Sequence, residues 1–365
     1  MHSLWRVFAV ALLLALLMPG AHGVRATAQP PTIQADQSAE LDFPASATFH
    51  LSATAPVPVD SAELRYITSG HEFSNAAVVE FDATTEVQVE HTVDAQIDYI
   101  EPGVDITYYW ILSNADGTVA QTEESTVTWI DDSFDWRRLD SDDVSIYVYE
   151  DDDEFNQYIL QVAQESADAY KQQYDIAEID PMRIWVYANG SDFSTTLRQN
   201  SESWIGGFSL PQAGVIAVPI ESGDDYSVDR VISHEVSHHV LYQATRNPFS
   251  YPPTWFDEGL AVVGQLAGNE NDLQIVLGAL EEGTLPTLMT LSSSFPTDAA
   301  AANRSYATSH IAVEYLMQQW GEAVIGDIVR AFRGGVTADQ ALLSTIGIDT
   351  VQLDAQFRAW LETQL

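Results

Sequence analysis

The 365-residue sequence contains no cysteine and a single lysine, Lys171. Without cysteine there is no disulfide, no catalytic thiol and no thiolate ligand, so any metal site must use histidine and carboxylate side chains. Only 14 side chains are basic against 54 acidic ones, which gives a formal net charge of −40. Because phosphate binding needs clustered Lys and Arg, this balance argues against nucleic acid and anionic membrane surfaces as partners. It is typical of a soluble secreted protein with a strongly hydrated surface, or of a protein from a salt-adapted source.

Long hydrophobic runs are absent except near the amino terminus. There Arg6 precedes the apolar stretch Val7–Met18, which Pro19 and Gly20 end. A bilayer span needs about 20 apolar residues, so segment 1–23 is predicted to be a signal peptide and the protein to be secreted. The alternative is an uncleaved segment that anchors the protein in a membrane.

Residues 24–40 are small and polar and are predicted to form a linker. From 41 to 132, segments of alternating polarity are separated by turn signals such as Asp116-Gly117. The predicted strands are Ala47–Ser52, Ala62–Ile67, Val78–Phe81, Val87–Val93, Ile106–Leu112 and Thr126–Ile130. Short strands at this density, over about 90 residues, predict an all-β sandwich of immunoglobulin or fibronectin-III type.

A second domain is predicted over residues 140–364, with an α/β lobe at 140–245 and a mostly helical lobe at 246–364. Its predicted strands are Val144–Tyr149, Arg183–Tyr187, a segment around Trp204–Phe208, and Gly214–Ile220. The last two are expected to pair. The Gly206-Gly207 pair indicates either an edge strand that takes up an extended substrate or a bulge or turn.

The segment Ser227–Ala244 contains an H-E-x-x-H pattern from His234 to His238. Residues four apart on a helix share a face, so the two histidines can converge on one metal ion, with Glu235 as base for its bound water. An apolar stripe on the neighbouring face indicates an amphipathic helix. It consists of Val228, Ile232, Val236 and Val240.

A catalytic zinc usually has three protein ligands and a water. His239 points about 100° away from His238 on a helix, so we expect it to pack or to support the site rather than to bind the metal. Glu258, within Trp255–Ala261, is the best downstream candidate, because coordination would remove the cost of burying an unpaired carboxylate. The prediction is one zinc ion per chain, held by His234, His238 and Glu258. The alternative is that the histidines are ordinary helix-surface residues and Glu258 a helix-start carboxylate.

HEVSH followed by WFDEGLA resembles the gluzincin metallopeptidases of the peptidase MA-like group, and the resemblance covers about residues 140–360. The preceding sandwich, joined by a D-W-R segment, resembles the N-terminal module of secreted bacterial members. The resemblance implies a multidomain protein in which an all-β sandwich precedes an α+β zincin-like domain with a mostly helical C-terminal lobe. It also implies the zinc ligands given above and Glu235 as the general base. Asp257 departs from the family pattern, since many relatives have Asn there, and His239 extends the motif.

Hydrolysis of an amide also needs a donor for the tetrahedral oxyanion. Tyr306 is the first candidate, in a segment that resembles the Tyr-containing helix following the ligand Glu, and His310, one turn later, is the second. At this position the family pattern is not firm.

The sequence therefore predicts a secreted zinc metallopeptidase that acts on a peptide or protein substrate. One alternative is an inactive or structural zinc domain in a cell-surface binding protein, with the sandwich as its adhesion module. Another is a zinc hydrolase that acts on a non-peptide amide. Endo- or exopeptidase action and the oligomeric state are left open.

Overall fold

The computed structural model describes residues 31–197 and 207–365, which form two β-sheets and a set of helices. The predicted signal peptide, the first part of the predicted linker and Trp204–Gly206 lie outside the described residues. Among the described residues, no helix combines the length and the apolar character that a membrane crossing requires.

The amino-terminal sheet has seven strands. They are β1 (Thr32–Ile33), β2 (Ala35–Asp42), β3 (Ser46–Thr68), β4 (Asn75–Asp94), β5 (Asp105–Asn114), β6 (Gly117–Thr122) and β7 (Ser125–Thr128). Strand β2 pairs with the first half of β3, whereas β5 pairs with its second half. The two halves contribute to two layers that face each other, since Phe49 of the first layer lies 4.8 Å, ring to ring, from Tyr108 of the second.

Two expectations for this region are corrected by the structure. Residues 35–40, predicted as linker, belong to β2, because their small alternating side chains can pack once the backbone pairs with β3. The four short strands predicted between 47 and 93 are two long ones, β3 and β4. The register shift between Thr54 and Ser61 bends these strands instead of reversing the chain.

The second sheet has five strands in the order β11-β12-β10-β9-β8. They are β8 (Arg137–Asp140), β9 (Val144–Val148), β10 (Met182–Tyr187), β11 (Phe208–Leu210) and β12 (Val215–Pro219). The three central strands are parallel, and the edge strands β8 and β11 are antiparallel to their neighbours. The predicted pairing of the segment ending at Phe208 with the strand starting near Gly214 is confirmed for the described residues.

The helices occupy the rest of the chain. They are α1 (Asp153–Tyr174), α2 (Gly190–Ser194), α3 (Asp225–Ser227), α4 (Ser233–Thr245), α5 (Thr254–Val263), α6 (Asp272–Glu281), α7 (Ala299–Trp320), α8 (Ala323–Arg333), α9 (Ala338–Thr345) and α10 (Thr350–Glu362). A π-helical segment, Val228–Ile232, joins α3 to α4, and a short 3-10 turn covers Thr290–Ser292. Asp152 caps α1 by accepting a hydrogen bond from the backbone of Phe155 at 3.1 Å.

The two faces of the second sheet are covered by different parts of the chain. Ile184 of β10 faces the core formed with the helices, whereas its neighbour Trp185 faces the core of the amino-terminal region. A Cβ at Gly103, which has a φ of +83°, would lie 2.3 Å from the Trp185 indole nitrogen. Asp105 also pairs with Arg183 of β10 at 3.0 Å. The amino-terminal region therefore shares a packed core with the sheet that supports the candidate site.

Helix α4 lies at the centre of the core that the second sheet forms with the helices. The predicted apolar stripe is confirmed, because its four valine and isoleucine side chains are fully buried. Helix α5 follows α4 and packs tightly on α7. A Cβ at Gly259 would lie 2.4 Å from the carbonyl oxygen of Ser309, so glycine is required beside Glu258 for the two helices to approach this closely.

Candidate active site

Three side chains from α4 and α5 converge on a single point. The Nε2 atoms of His234 and His238 are 3.2 Å apart. Oε2 of Glu258 lies 3.4 Å from Nε2 of His234 and 3.6 Å from Nε2 of His238. In the described residues, these three form the group of ligand-type side chains that could hold a metal ion.

The dimensions of this triangle suit zinc. Zinc binds His nitrogen and carboxylate oxygen at about 2.0–2.2 Å in tetrahedral geometry, which puts neighbouring ligand atoms about 3.3 Å apart. The three observed separations, 3.2, 3.4 and 3.6 Å, lie close to this spacing. The ligand set, two nitrogens and one oxygen, also belongs to the types that zinc accepts.

The burial and charge of the three groups favour a cation. Oε2 of Glu258 is buried and has no hydrogen-bond partner among the described residues, which is costly unless a cation neutralises it. Burial alone would raise the pKa of Glu258, but the nearby His234 and His238 outweigh burial and lower it. For His238 burial alone would lower the pKa, but the neighbouring carboxylates of Asp257, Glu258 and Glu235 outweigh burial and raise the pKa to about 10. The surroundings thus stabilise positive charge at this point.

Each histidine is oriented through its second ring nitrogen, which is the usual arrangement for metal-binding histidines. Asp257 contacts Nδ1 of His238 at 2.6 Å, and the amide of Gln265, just after α5, contacts Nδ1 of His234 at 2.7 Å. Coordination through Nε2 leaves the proton on Nδ1, which at His238 can then donate to the Asp257 carboxylate. At His234 the amide nitrogen of Gln265 lies against Nδ1, and a 180° rotation of the amide would place its oxygen there to accept the ring proton.

Sequence reasoning did not identify either of these orienting contacts. It noted Asp257 only as a departure from the family pattern, and it did not consider Gln265. A carboxylate next to a candidate ligand on the same helix was an available signal for Asp257. Gln265 carried no such signal, because its contact depends on how the chain turns after α5. That turn is fixed in part by the hydrogen bond from Leu266 N to Asp229 O, 3.1 Å long, in the π-helical segment.

Glu235 and Tyr306 lie with the three candidate ligands on a cavity of about 400 Å³. The edge strand β11 contributes Phe208 and Ser209 to the same cavity. Burial raises the pKa of Tyr306, and the charges of Glu258 and Glu235 raise it further, so the phenol keeps its proton and can donate a hydrogen bond. Its ring lies 6.3 Å from the ring of His234 and is braced edge-on by Phe295 at 5.1 Å.

The structure does not place His310 at this cavity, so its prediction as an oxyanion donor is wrong. Nδ1 of His310 contacts Asp272 at 2.8 Å, and Nε2 lies 3.5 Å from Glu314. Its side chain is only 6% exposed. Both ring nitrogens already face carboxylates, so the side chain has no donor left for a substrate.

His239 lies apart from the three converging side chains, as the helical spacing predicts. Its side chain is fully buried, and burial, together with the charge of His238, lowers its pKa to about 3. It is therefore a neutral packing residue of α4.

Comparisons with known proteins support a family assignment. The model of the Peptidase MA superfamily matches residues 162–363, more than half of the chain. A search of curated proteins gave no match.

Similar solved structures include the crystal structure of an M1 zinc metallopeptidase from Deinococcus radiodurans, with 13% identity and a TM-score of 0.39. That similarity covers 87% of this chain and 88% of the other. A two-domain M1 zinc metallopeptidase mutant bound to L-arginine has 11% identity and a TM-score of 0.39, covering 87% of this chain and 89% of that chain. A structure described as that of a myokine covers 28% of this chain and 99% of its own, with 8% identity and a TM-score of 0.23. These TM-scores are too low to support a specific activity.

Proposed function

Since the chain belongs to the Peptidase MA superfamily, we propose that it is a zinc-dependent metallopeptidase. Its zinc ligands are His234, His238 and Glu258, with one ion per chain, and its substrate is a peptide or protein. The convergence of those three side chains beside Glu235, in a cavity, is the observation that carries this proposal.

The proposed role of each side chain follows from its position at the cavity. Zinc bound at this site would act as a Lewis acid and lower the pKa of a bound water towards about 7. Glu235 accepts the proton of the attacking water and delivers it to the leaving amine. Tyr306 keeps its phenolic proton and donates a hydrogen bond to the tetrahedral oxyanion. Asp257 and Gln265 hold the rings of His238 and His234 in orientation.

The edge of the second sheet offers a place for the substrate backbone. Strand β11 is an edge strand of the sheet and borders the cavity through Phe208 and Ser209. An extended peptide that adds to such an edge forms main-chain hydrogen bonds without regard to its sequence. This mode suits a peptidase that acts on unfolded segments.

Other parts of the chain complete the proposal. Segment 1–23 is a signal peptide that directs the protein out of the cell, and the amino-terminal two-layer region is an immunoglobulin- or fibronectin-III-like module. The close packing of that module on β10 supports a lasting structural role in the enzyme rather than a loosely tethered one.

The test combines metal content with cleavage of an unfolded protein substrate. The purified protein should contain one zinc ion per chain and lose activity when a chelator removes it. Glu235→Gln should keep the zinc and lower kcat by about 10³-fold, because a positioned general base contributes about 10²–10⁴-fold. A Glu235→Gln enzyme that cleaves the substrate as fast as wild type would show the mechanism to be wrong. A zinc-loaded wild-type protein that cleaves nothing would refute the peptidase function.

A further inference from the structure

The loop between α4 and α5 exposes aromatic side chains beside the cavity. In this aromatic loop, residues 247–253, Phe249 is 83% exposed and Tyr251 is 66% exposed. Single exposed hydrophobic side chains are common on protein surfaces and need no explanation. Tyr251 differs from such residues because it borders the cavity and belongs to a loop with a fixed backbone.

The backbone of the aromatic loop is fixed by a buried asparagine. Oδ1 of Asn247 accepts hydrogen bonds from the backbone of Phe249 at 2.9 Å and of Ser250 at 3.2 Å. Its Nδ2 donates to the carbonyl oxygen of Val336 at 3.0 Å, which ties the loop to the segment before α9. The backbone that carries these aromatic side chains is thus held in place before any ligand arrives, which lowers the entropic cost of binding.

Tyr251 forms one wall of the cavity together with Tyr242 of α4. Both side chains border the cavity, and their rings are nearly parallel, with an interplanar angle of 19° and centroids 6.4 Å apart. Leu241 and Pro252 border the same side. This aromatic wall, Tyr242 and Tyr251, begins one helical turn after His238, so it lies beside the proposed site of bond cleavage.

The amino-terminal region packs against a turn that borders the cavity. Gly70, in the turn after β3, lies against the turn between β11 and β12, where a Cβ on Gly70 would be 3.2 Å from Ala213. Gln212 of that turn borders the cavity.

We propose that the aromatic wall is a specificity subsite for a large apolar or aromatic side chain of the substrate, adjacent to the cleaved bond. The inference rests on the proposed peptidase function and adds the class of substrate side chain to it. Aromatic rings provide a large contact area at a small cost in side-chain entropy. Acidic side chains are disfavoured at this subsite, because the carboxylates of Glu235 and Asp257 border the same cavity.

The test uses quenched fluorescent peptides of one sequence that carry Phe, Leu, Ala or Asp on either side of the cleaved bond. Wild type should prefer Phe or Leu over Ala by about tenfold in kcat/KM at one of the two positions, and it should cleave the Asp peptide most slowly. Tyr251→Ala should remove most of this tenfold preference, so that kcat/KM falls more for the Phe and Leu peptides than for the Ala peptide. Tyr251→Phe should keep the preference, because the ring remains.

The matched control is Tyr226→Ala, which removes a tyrosine of similar exposure, 56%, that does not border the cavity. It should leave the preference unchanged. If Tyr251→Ala slows all four peptides equally, or wild type shows no preference at either position, the subsite assignment is wrong while the peptidase function stands. If wild type cleaves none of the peptides and no protein substrate, the proposed function itself fails, and the inference fails with it.

Discussion

Among the described residues, two clusters combine a buried histidine with carboxylates, and only one of them has the geometry of a metal site. At His234, His238 and Glu258, three ligand atoms point at one another, and Oε2 of Glu258 has no hydrogen-bond partner among the described residues. At His310, each ring nitrogen faces its own carboxylate, Asp272 or Glu314. The first cluster is incomplete without a cation and opens on a cavity, whereas the second is complete. The two clusters contain the same types of residue. They differ in whether the ligand atoms converge on one point and in whether a buried polar atom lacks a hydrogen-bond partner.

The sharpest test of this comparison removes one carboxylate from each cluster. Loss of a side chain that orients a ligand costs up to about 100-fold in metal affinity. Glu258→Gln should lower zinc affinity by more than this, because it removes a proposed ligand itself. Asp272→Asn should leave zinc affinity unchanged. Competition with a chromophoric chelator measures both values. Equal zinc affinities for the Glu258→Gln protein and wild type would remove Glu258 from the metal site.

A substitution of Tyr306 tests whether the cluster of His234, His238 and Glu258 belongs to a catalytic site. Tyr306→Phe should lower kcat by about 10²-fold, since an oxyanion donor contributes about 10²–10³-fold, while zinc content stays at one per chain. Steady-state kinetics on one peptide, with metal analysis of the same preparation, checks this. A Tyr306→Phe enzyme with wild-type kcat would assign the oxyanion contact to another group.

Gln265 tests how the first cluster is held. Gln265→Leu should lower zinc affinity by about 10–100-fold, because the ring of His234 loses its orienting partner, whereas Gln265→Glu should bind zinc at least as tightly as wild type. Gln243→Leu is the matched control, since Gln243 contacts Asp180 away from the cavity. Thermal unfolding of the metal-free proteins separates an orienting role from a structural one. Unchanged affinity in Gln265→Leu would show that the contact has no influence on the metal.

The smallest expected effect concerns the second cluster and its dependence on pH. Burial lowers the pKa of His310, but Asp272 and Glu314 outweigh that effect and raise it to about 9. A folded-state pKa above the unfolded value, which is about 6.5, means that protonated His310 stabilises the fold. This contribution is fully present below about pH 6.5 and is lost as the pH rises through about 9. His310→Gln should therefore unfold at a lower temperature than wild type at pH 6, and the difference should shrink by pH 10. Zinc affinity at neutral pH should remain that of wild type, and a large loss of zinc would contradict the separation of the two clusters.

Sequence patterns predicted the elements that depend on local spacing. The mostly helical character of residues 246–364 was expected, and the apolar stripe that runs from the π-helical segment into α4 is buried as predicted, because a helix brings residues three and four apart onto one face whatever surrounds it. The pairing of His234 with His238 is of the same kind. The edge position of β11 was one of two interpretations of the Gly206-Gly207 pair.

Features that depend on distant contacts were predicted poorly. His310 lies one turn after Tyr306, so sequence spacing placed both on one face, but α6 brings Asp272 to His310 and removes it from the cavity. Strand β2 has too little hydrophobicity to be recognised alone and forms because β3 offers it a hydrogen-bonding edge. In both cases the partner is far away in sequence, so the local pattern carries no record of it.

The sequence by itself limited the kind of metal site that this protein can form. With no cysteine and one H-E-x-x-H helix, a metal site has to consist of histidine and carboxylate, and helical spacing brings two candidate ligands and a candidate base together. The tertiary structure brings Glu258, the carboxylate that the sequence indicated, to the two histidines, and it decides which side chains orient their rings and which regions enclose the cavity. Gly259 lets α5 pack closely on α7, the turn after α5 carries Gln265 to His234, and the aromatic loop borders the cavity. These contacts depend on packing between elements, and no spacing along the chain specifies them.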